Sequence, residues 1–386
     1  MPNQILNKAA RVIFASILFG SIFVPRLSVW LPGSFFSVDI RIEDVLLPVF
    51  ILLVFLQGSE SPRRLIFSGI ENRFLVFFIV CGLSVLNGFV LGTIDKPFAS
   101  FFCLLKWFEY FLFFAVSIRF FSRTPPGFYL KLFFCLGMTL TLYGYIEHFF
   151  PTAKAVYPNY YRIFERAPFY GDANHMGGLL AFWIAFFTGY LIESRDSVKK
   201  VFLGAGVLAA FFPLIWTYSR KSYLALAGCY FLALLWGGKR KQLLFVSSVL
   251  IIAAVLLPTR FSERMLDIGE SFSSADPFHT SWAGDVTVWK RSFVNFEKMF
   301  LLGSGWGSRH RRFYESQYVQ ILTESGVIGF ALFLSLLWAL GCRIGLARSQ
   351  LSADQQELRA GWSMAFIAFI IHSHRPTGPQ FLLIST

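Results

Sequence analysis

Apolar residues run along the chain in long blocks, with polar and charged residues gathered between them. The blocks lie near 10–31, 43–57, 74–93, 99–121, 128–150, 175–193, 200–217, 222–236, 242–258, 317–342 and 360–372. An α-helix needs about 20 such residues to cross the roughly 30 Å hydrocarbon core of a bilayer. The pattern therefore predicts an all-α polytopic membrane protein with about 11 transmembrane helices, within a range of 10–12. The organisation that follows is helices one to nine over 1–258, a long extracytoplasmic loop over 259–316, and C-terminal transmembrane helices with a tail over 317–386. The first block, preceded by Lys8 and Arg11, has the layout of a signal peptide. No small-residue cleavage site follows, and Pro25-Arg26 interrupts it instead, so it reads as a retained helix.

Composition agrees with lipid as the solvent. Of 386 residues, 55% are hydrophobic and 15% charged, with 48 phenylalanines and ten tryptophans, and the mean hydropathy is +0.58. A soluble domain carries about 25% charged residues, so a soluble enzyme, a coiled coil and a disordered chain are excluded. The five cysteines, Cys81, Cys103, Cys135, Cys229 and Cys342, sit in or beside apolar runs without CxxC spacing. They imply neither a disulfide framework nor a metal site.

The net charge of +13 would suggest nucleic acid in a soluble protein. Here the basic residues alternate in density from one connection to the next. With the N-terminus inside, sixteen fall on the cytoplasmic side and eight in the short external connections, which is the positive-inside orientation. The connection 259–316 then lies outside, and its length, tryptophans and mixed charges suggest a folded subdomain.

Several external arginines have no topological reason to be there. Arg166 precedes Gly171-Asp172-Ala173-Asn174-His175 at the mouth of one helix, and Arg220 lies in the short turn Thr217-Tyr218-Ser219-Arg220-Lys221-Ser222. A guanidinium grips phosphate oxygens in pairs, which suits a lipid diphosphate at the membrane surface. Snorkelling to lipid headgroups is the plain alternative for any one arginine. The long loop ends in Gly303-Ser304-Gly305-Trp306-Gly307-Ser308-Arg309-His310-Arg311-Arg312 and then Glu315. Its glycines resemble a phosphate-cradling loop, but no strand precedes it and no Lys-Ser/Thr follows. Glu315 and Glu324 are either helix-start residues favoured by the macrodipole or a base toward a hydroxyl nucleophile. Lys106 and Glu109, at i and i+3, read as a structural pair inside the membrane, while Glu147 and His148 either line a cavity or reach the interface. The remaining histidines, His175, His279, His310, His372 and His374, lack metal-ligand spacing, and no HExxH, GxSxG, Walker or Rossmann pattern occurs.

Taken in order, these pieces resemble the O-antigen ligase and polymerase superfamily of membrane glycosyltransferases. The resemblance is carried by Arg41-Ile42-Glu43-Asp44-Val45-Leu46-Leu47, by Arg166 with Phe169-Tyr170-Gly171-Asp172-Ala173-Asn174, and by Tyr218-Ser219-Arg220. Trp289, Gly303-Ser304-Gly305-Trp306-Gly307 and the segment Tyr318 to Gly329 complete it. It departs in two places. Glu315-Ser316 stands where ligases usually carry a His-Asn pair, and Asp285 stands where an arginine usually precedes the loop tryptophan. These departures favour the polymerase branch over ligation to lipid A core. Beyond Arg375-Pro376-Thr377-Gly378-Pro379 only Phe381 to Ile384 remains, where relatives usually have another helix, so a truncated C-terminus is an expectation.

The resemblance implies a metal-independent, cofactor-free enzyme of the bacterial inner membrane. It would use an undecaprenyl-diphosphate-linked glycan as donor and a glycan or lipid-linked glycan as acceptor, among membrane lipids, without nucleic acid and with room for a chain-length regulator. Arg220, Arg166 and Glu315 would be catalytic. Arg309, Arg311, Arg312, Asn174, Trp289, Trp306, Tyr318 and Glu324 would bind substrate. A lipid-linked glycan flippase is the alternative from another class, although no internal repeat supports it.

Overall fold

A computed structural model describes residues 2–23, 27–30, 37–57, 69–94, 97–150, 173–236, 244, 247, 296–308, 316–346 and 352–372. Ten α-helices occupy most of them. They are α1 (Pro2–Phe23), α2 (Ile42–Leu56), α3 (Gly69–Val90), α4 (Pro97–Arg123), α5 (Pro126–Phe149), α6 (Ala173–Glu193), α7 (Ser197–Trp216), α8 (Arg220–Trp236), α9 (Gln317–Leu346) and α10 (Ala353–His372). Seven of the ten, α1, α3 to α7 and α9, are long and apolar enough to cross a membrane. The chain is a polytopic all-α membrane protein. The expected block 242–258 falls almost wholly outside the described residues.

Two expected spans differ from the sequence pattern. The first block was expected to continue to residue 31, but α1 ends at Phe23, and strands β1 (Leu27–Trp30) and β2 (Ser37–Ile40) pair antiparallel beyond it. Pro25 between them cannot donate to a helical ladder. The second block forms α2, only 15 residues with Pro48 inside, or about 22 Å at the α-helical rise, short of the hydrocarbon thickness.

Helix α6 is the hub. Every residue from Met176 to Tyr190 is buried, as expected of a helix that is apolar all round. It packs against α5, α7, α8 and α10 through a cluster including Phe182, Trp183, Phe186 and Phe187. Small residues permit the closest approaches: a methyl at Gly189 would fall 2.5 Å from the Ala360 carbonyl oxygen of α10. A second cluster joins α1, α2 and α4 around Phe14, Phe50 and Phe113. A third joins α3, α4 and α9 around Phe77, Trp107 and Trp306. The ends of α3, α7 and α10 meet the starts of α4, α6, α8 and α9 at one end of the bundle, and both candidate regions lie there.

Candidate functional site

The first region is the turn between α7 and α8. The Thr217 hydroxyl donates to the Leu214 carbonyl at 2.6 Å and accepts from the Ser219 N–H at 3.3 Å. Tyr218 takes a left-handed conformation, φ 49°, uncommon for a side chain other than glycine, Asn or Asp. Ser219 then caps α8. Its carbonyl accepts from Ser222 N and Tyr223 N, both at 3.1 Å, and its hydroxyl accepts from the Ser222 hydroxyl at 2.8 Å. Arg220 is thereby the first residue of α8, 9% exposed, with Lys221 next to it and no acidic residue in the first turn. Two cations at the positive end of a helix macrodipole oppose the local field. A bound anion would reverse that penalty. Across the turn, α6 presents Gly177 and Gly178, and the Nε2 of His372, at the end of α10, lies 3.2 Å from the Ser222 hydroxyl. Asn174, half-buried, opens α6 on this same side.

The second region is the glycine loop. Helix α9 is interrupted at Gly326, φ 67° and ψ −172°, and residues 300–307 are spliced into the interruption. Val327 N–H donates to the Phe300 carbonyl (2.9 Å) and Ile328 N–H to Leu301 (3.3 Å), while the Thr323 and Glu324 carbonyls accept from Ser304 N (2.9 Å) and Gly305 N (3.1 Å). Four backbone groups that a continuous helix would pair with one another are paired with the loop instead. Gly303, Gly305 and Gly307 all have positive φ and lie against backbone of α9, α3 and α4 respectively. The loop's amides are therefore spent on protein, and the glycines serve close packing, in line with the weakness of the phosphate-cradle likeness in the sequence.

The candidate residues of this region take structural places. Trp306 is 1% exposed, with its ring edge-on to Trp107 (5.2 Å) and Phe77 (5.8 Å). A ring enclosed in this way packs as a core residue. Glu324 is fully buried, its carboxylate accepting from Gly307 N at 3.1 Å and Gln320 Nε2 at 3.3 Å. It anchors the loop. The Tyr318 hydroxyl donates to the Ile370 carbonyl at 2.8 Å, tying α9 to the end of α10. The expected residues Arg166, Trp289, Arg309, Arg311, Arg312 and Glu315 lie outside the described residues.

The intramembrane pair Lys106 and Glu109 is present at 3.0 Å, and Asp44 of α2 joins it on Lys106. Arg41 pairs with Glu43 at 3.3 Å, and its N–H is held by Asp44 at 2.9 Å. The segment Arg41 to Asp44 thus caps α2 and pins it to α4. On α5, Glu147 is buried and accepts from the Tyr143 hydroxyl at 2.9 Å, while His148 stacks on Trp216 with ring centroids 3.8 Å apart. Among the described residues no group of His, Cys, Asp and Glu has the arrangement of a metal site.

Sequence reasoning singled out the turn that holds Ser219 and Ser222 but missed their roles and that of His372, which one sequence does not connect with the turn. A family model described as O-antigen ligase matches residues 205–334, which include the later part of α7, the Arg220 turn, α8 and the glycine loop with the spliced part of α9. No curated protein matches the chain.

Proposed function

We propose, from the premise that the chain is a member of the O-antigen ligase/polymerase superfamily and so a membrane enzyme of polysaccharide assembly, that it polymerises glycan units carried on undecaprenyl diphosphate. The hydroxyl of an acceptor glycan attacks the anomeric carbon of the donor with inversion. One C–O bond forms as the C–O bond to the diphosphate breaks, the acceptor proton passes to the Glu315 carboxylate, and undecaprenyl diphosphate departs. Arg220 and Arg166 hold the diphosphate, with Arg309, Arg311 and Arg312 adding positive charge, and no metal ion is required. Trp289 and Asn174 complete the substrate contacts.

The observation that carries this reading is Arg220 at the first position of α8, beside Lys221. Charge that develops on a leaving diphosphate meets there both a guanidinium and a helix N-terminus. Removing one preorganised charged donor typically lowers the rate about 100- to 1000-fold. Arg220→Ala should therefore nearly abolish glycan extension in proteoliposomes supplied with lipid-linked donor, while expression and membrane insertion persist. Arg220→Lys, which keeps the charge and loses the fork, should recover only part of the activity. Full activity in the alanine variant would sink the assignment.

The family description itself, O-antigen ligase, keeps a second acceptor in view. Product formed only on lipid A core in the same assay would place the chain with the ligases.

A further inference from the structure

We infer that His372 is a positioning residue for the Arg220 turn, fixing through Ser222 and Ser219 the start of the helix on which Arg220 is mounted. The contact links residues 150 positions apart. It joins the last turn of α10 to the first turn of α8, across the backbone of α6. All three side chains are buried, Ser219 and Ser222 completely and His372 to 3% exposure, so water does not compete for these bonds.

The hydrogen bonds have a direction. A serine hydroxyl carries one proton, and that of Ser222 is committed to the Ser219 hydroxyl. The bond between Ser222 and His372 then requires Nε2 to carry a proton and donate it. The imidazole therefore feeds a chain of donors that ends on Ser219, the capping residue immediately before Arg220. The same Ser219 accepts, at its carbonyl, the amides of Ser222 and Tyr223 in the first turn of α8. Its backbone follows Tyr218, which holds a left-handed conformation. Such a conformation is unfavourable for a residue with a side chain and persists only where the surroundings enforce it. His372 supplies an enforcing contact from outside the turn.

The glycines of α6 make room for it. A methyl at Gly178 would lie 2.4 Å from Cε1 and 2.7 Å from Nε2 of His372, and one at Gly177 would lie 2.6 Å from the Ser222 hydroxyl. Packing alone would be served equally well by a leucine at position 372. A hydrogen-bonding role needs a donor there, which glutamine can offer and leucine cannot.

The catalytic consequence rests on the proposed function; the positioning does not, and the two are tested apart. Amide hydrogen exchange over residues 217–223 is measured on the full-length protein in nanodiscs. His372→Leu should accelerate exchange about tenfold or more, and His372→Gln should restore most of the protection. Gly178→Ala, which displaces the ring without removing it, should reproduce the leucine result, and it stands in if His372→Leu does not fold. Unchanged exchange in the leucine and Gly178→Ala variants overturns the inference, as does equal acceleration in the leucine and glutamine variants. Undecaprenyl diphosphate is then titrated against the same proteins. The Kd should rise about 10- to 100-fold for His372→Leu, by analogy with the loss of an outer partner of a metal ligand, and recover for His372→Gln. Wild-type protein that binds no undecaprenyl diphosphate counts against the proposed function and leaves the exchange result to decide the positioning.

Discussion

Removing the Trp306 side chain leaves an empty space bounded by Phe77 and Trp107. A buried aromatic replaced by alanine typically costs about 3–5 kcal/mol. Trp306→Ala should accordingly lower the melting temperature in detergent while leaving the KM for lipid-linked donor unchanged in the protein that remains folded. A tryptophan serving sugar rings would show the reverse: an unchanged melting temperature and a raised KM. Trp306 and Glu324 were legible as unusual residues, an aromatic among glycines and an acid near an apolar helix. Their burial was not, because it depends on α3 and α4, which approach from more than 190 residues earlier in the chain. Lys106 and Glu109 were read correctly because an i, i+3 pair is a local feature, whereas Asp44, the third member, lies on another helix.

At the scale of elements, α9 was legible in extent but not in continuity. Apolar composition marked 317–342, and the helix runs Gln317–Leu346, yet nothing local announces that its ladder opens at Gly326 to receive residues 300–305. A methyl at Gly326 would lie 2.2 Å from the Leu301 carbonyl oxygen, and its backbone conformation, φ 67° and ψ −172°, is essentially confined to glycine and costs a side chain about 1–3 kcal/mol more. Gly326→Ala should eject the loop from its slot. The check is limited proteolysis of membranes: cleavage within 296–308 should rise severalfold in the variant, and an unchanged pattern would mean that the splice tolerates the substitution. Helices α8 and α10 illustrate the limit of hydropathy reading. The first has 17 residues, and the second begins with Asp354, Glu357 and Arg359, yet both pack along α6 in the central cluster.

Across the whole molecule, the alternation of basic residues predicts which end of the bundle faces the cytoplasm. In a background freed of native cysteines, Leu91→Cys at the α3 to α4 connection should react with a membrane-impermeant maleimide in intact spheroplasts. Val198→Cys at the start of α7 should react only after permeabilisation. Both native side chains are exposed, so access reports the side of the membrane; the opposite result inverts the orientation. The proposed site was legible as a set of arginines in the connections because charge sorts by loop. The contact between Ser222 and His372 was not, since one sequence does not reveal that helices 150 residues apart meet. The spliced helix bears also on biogenesis. When α9 enters the bilayer it exposes the carbonyls of Thr323 and Glu324 and the amides of Val327 and Ile328, each costing several kcal/mol if unpaired in hydrocarbon. The Phe300 to Gly305 segment pairs all four, and the Ser84 hydroxyl of α3 also donates to the Glu324 carbonyl. That segment and α9 therefore form a single unit of membrane insertion, and a ribosome that has finished the segment must still release α9 before either can settle.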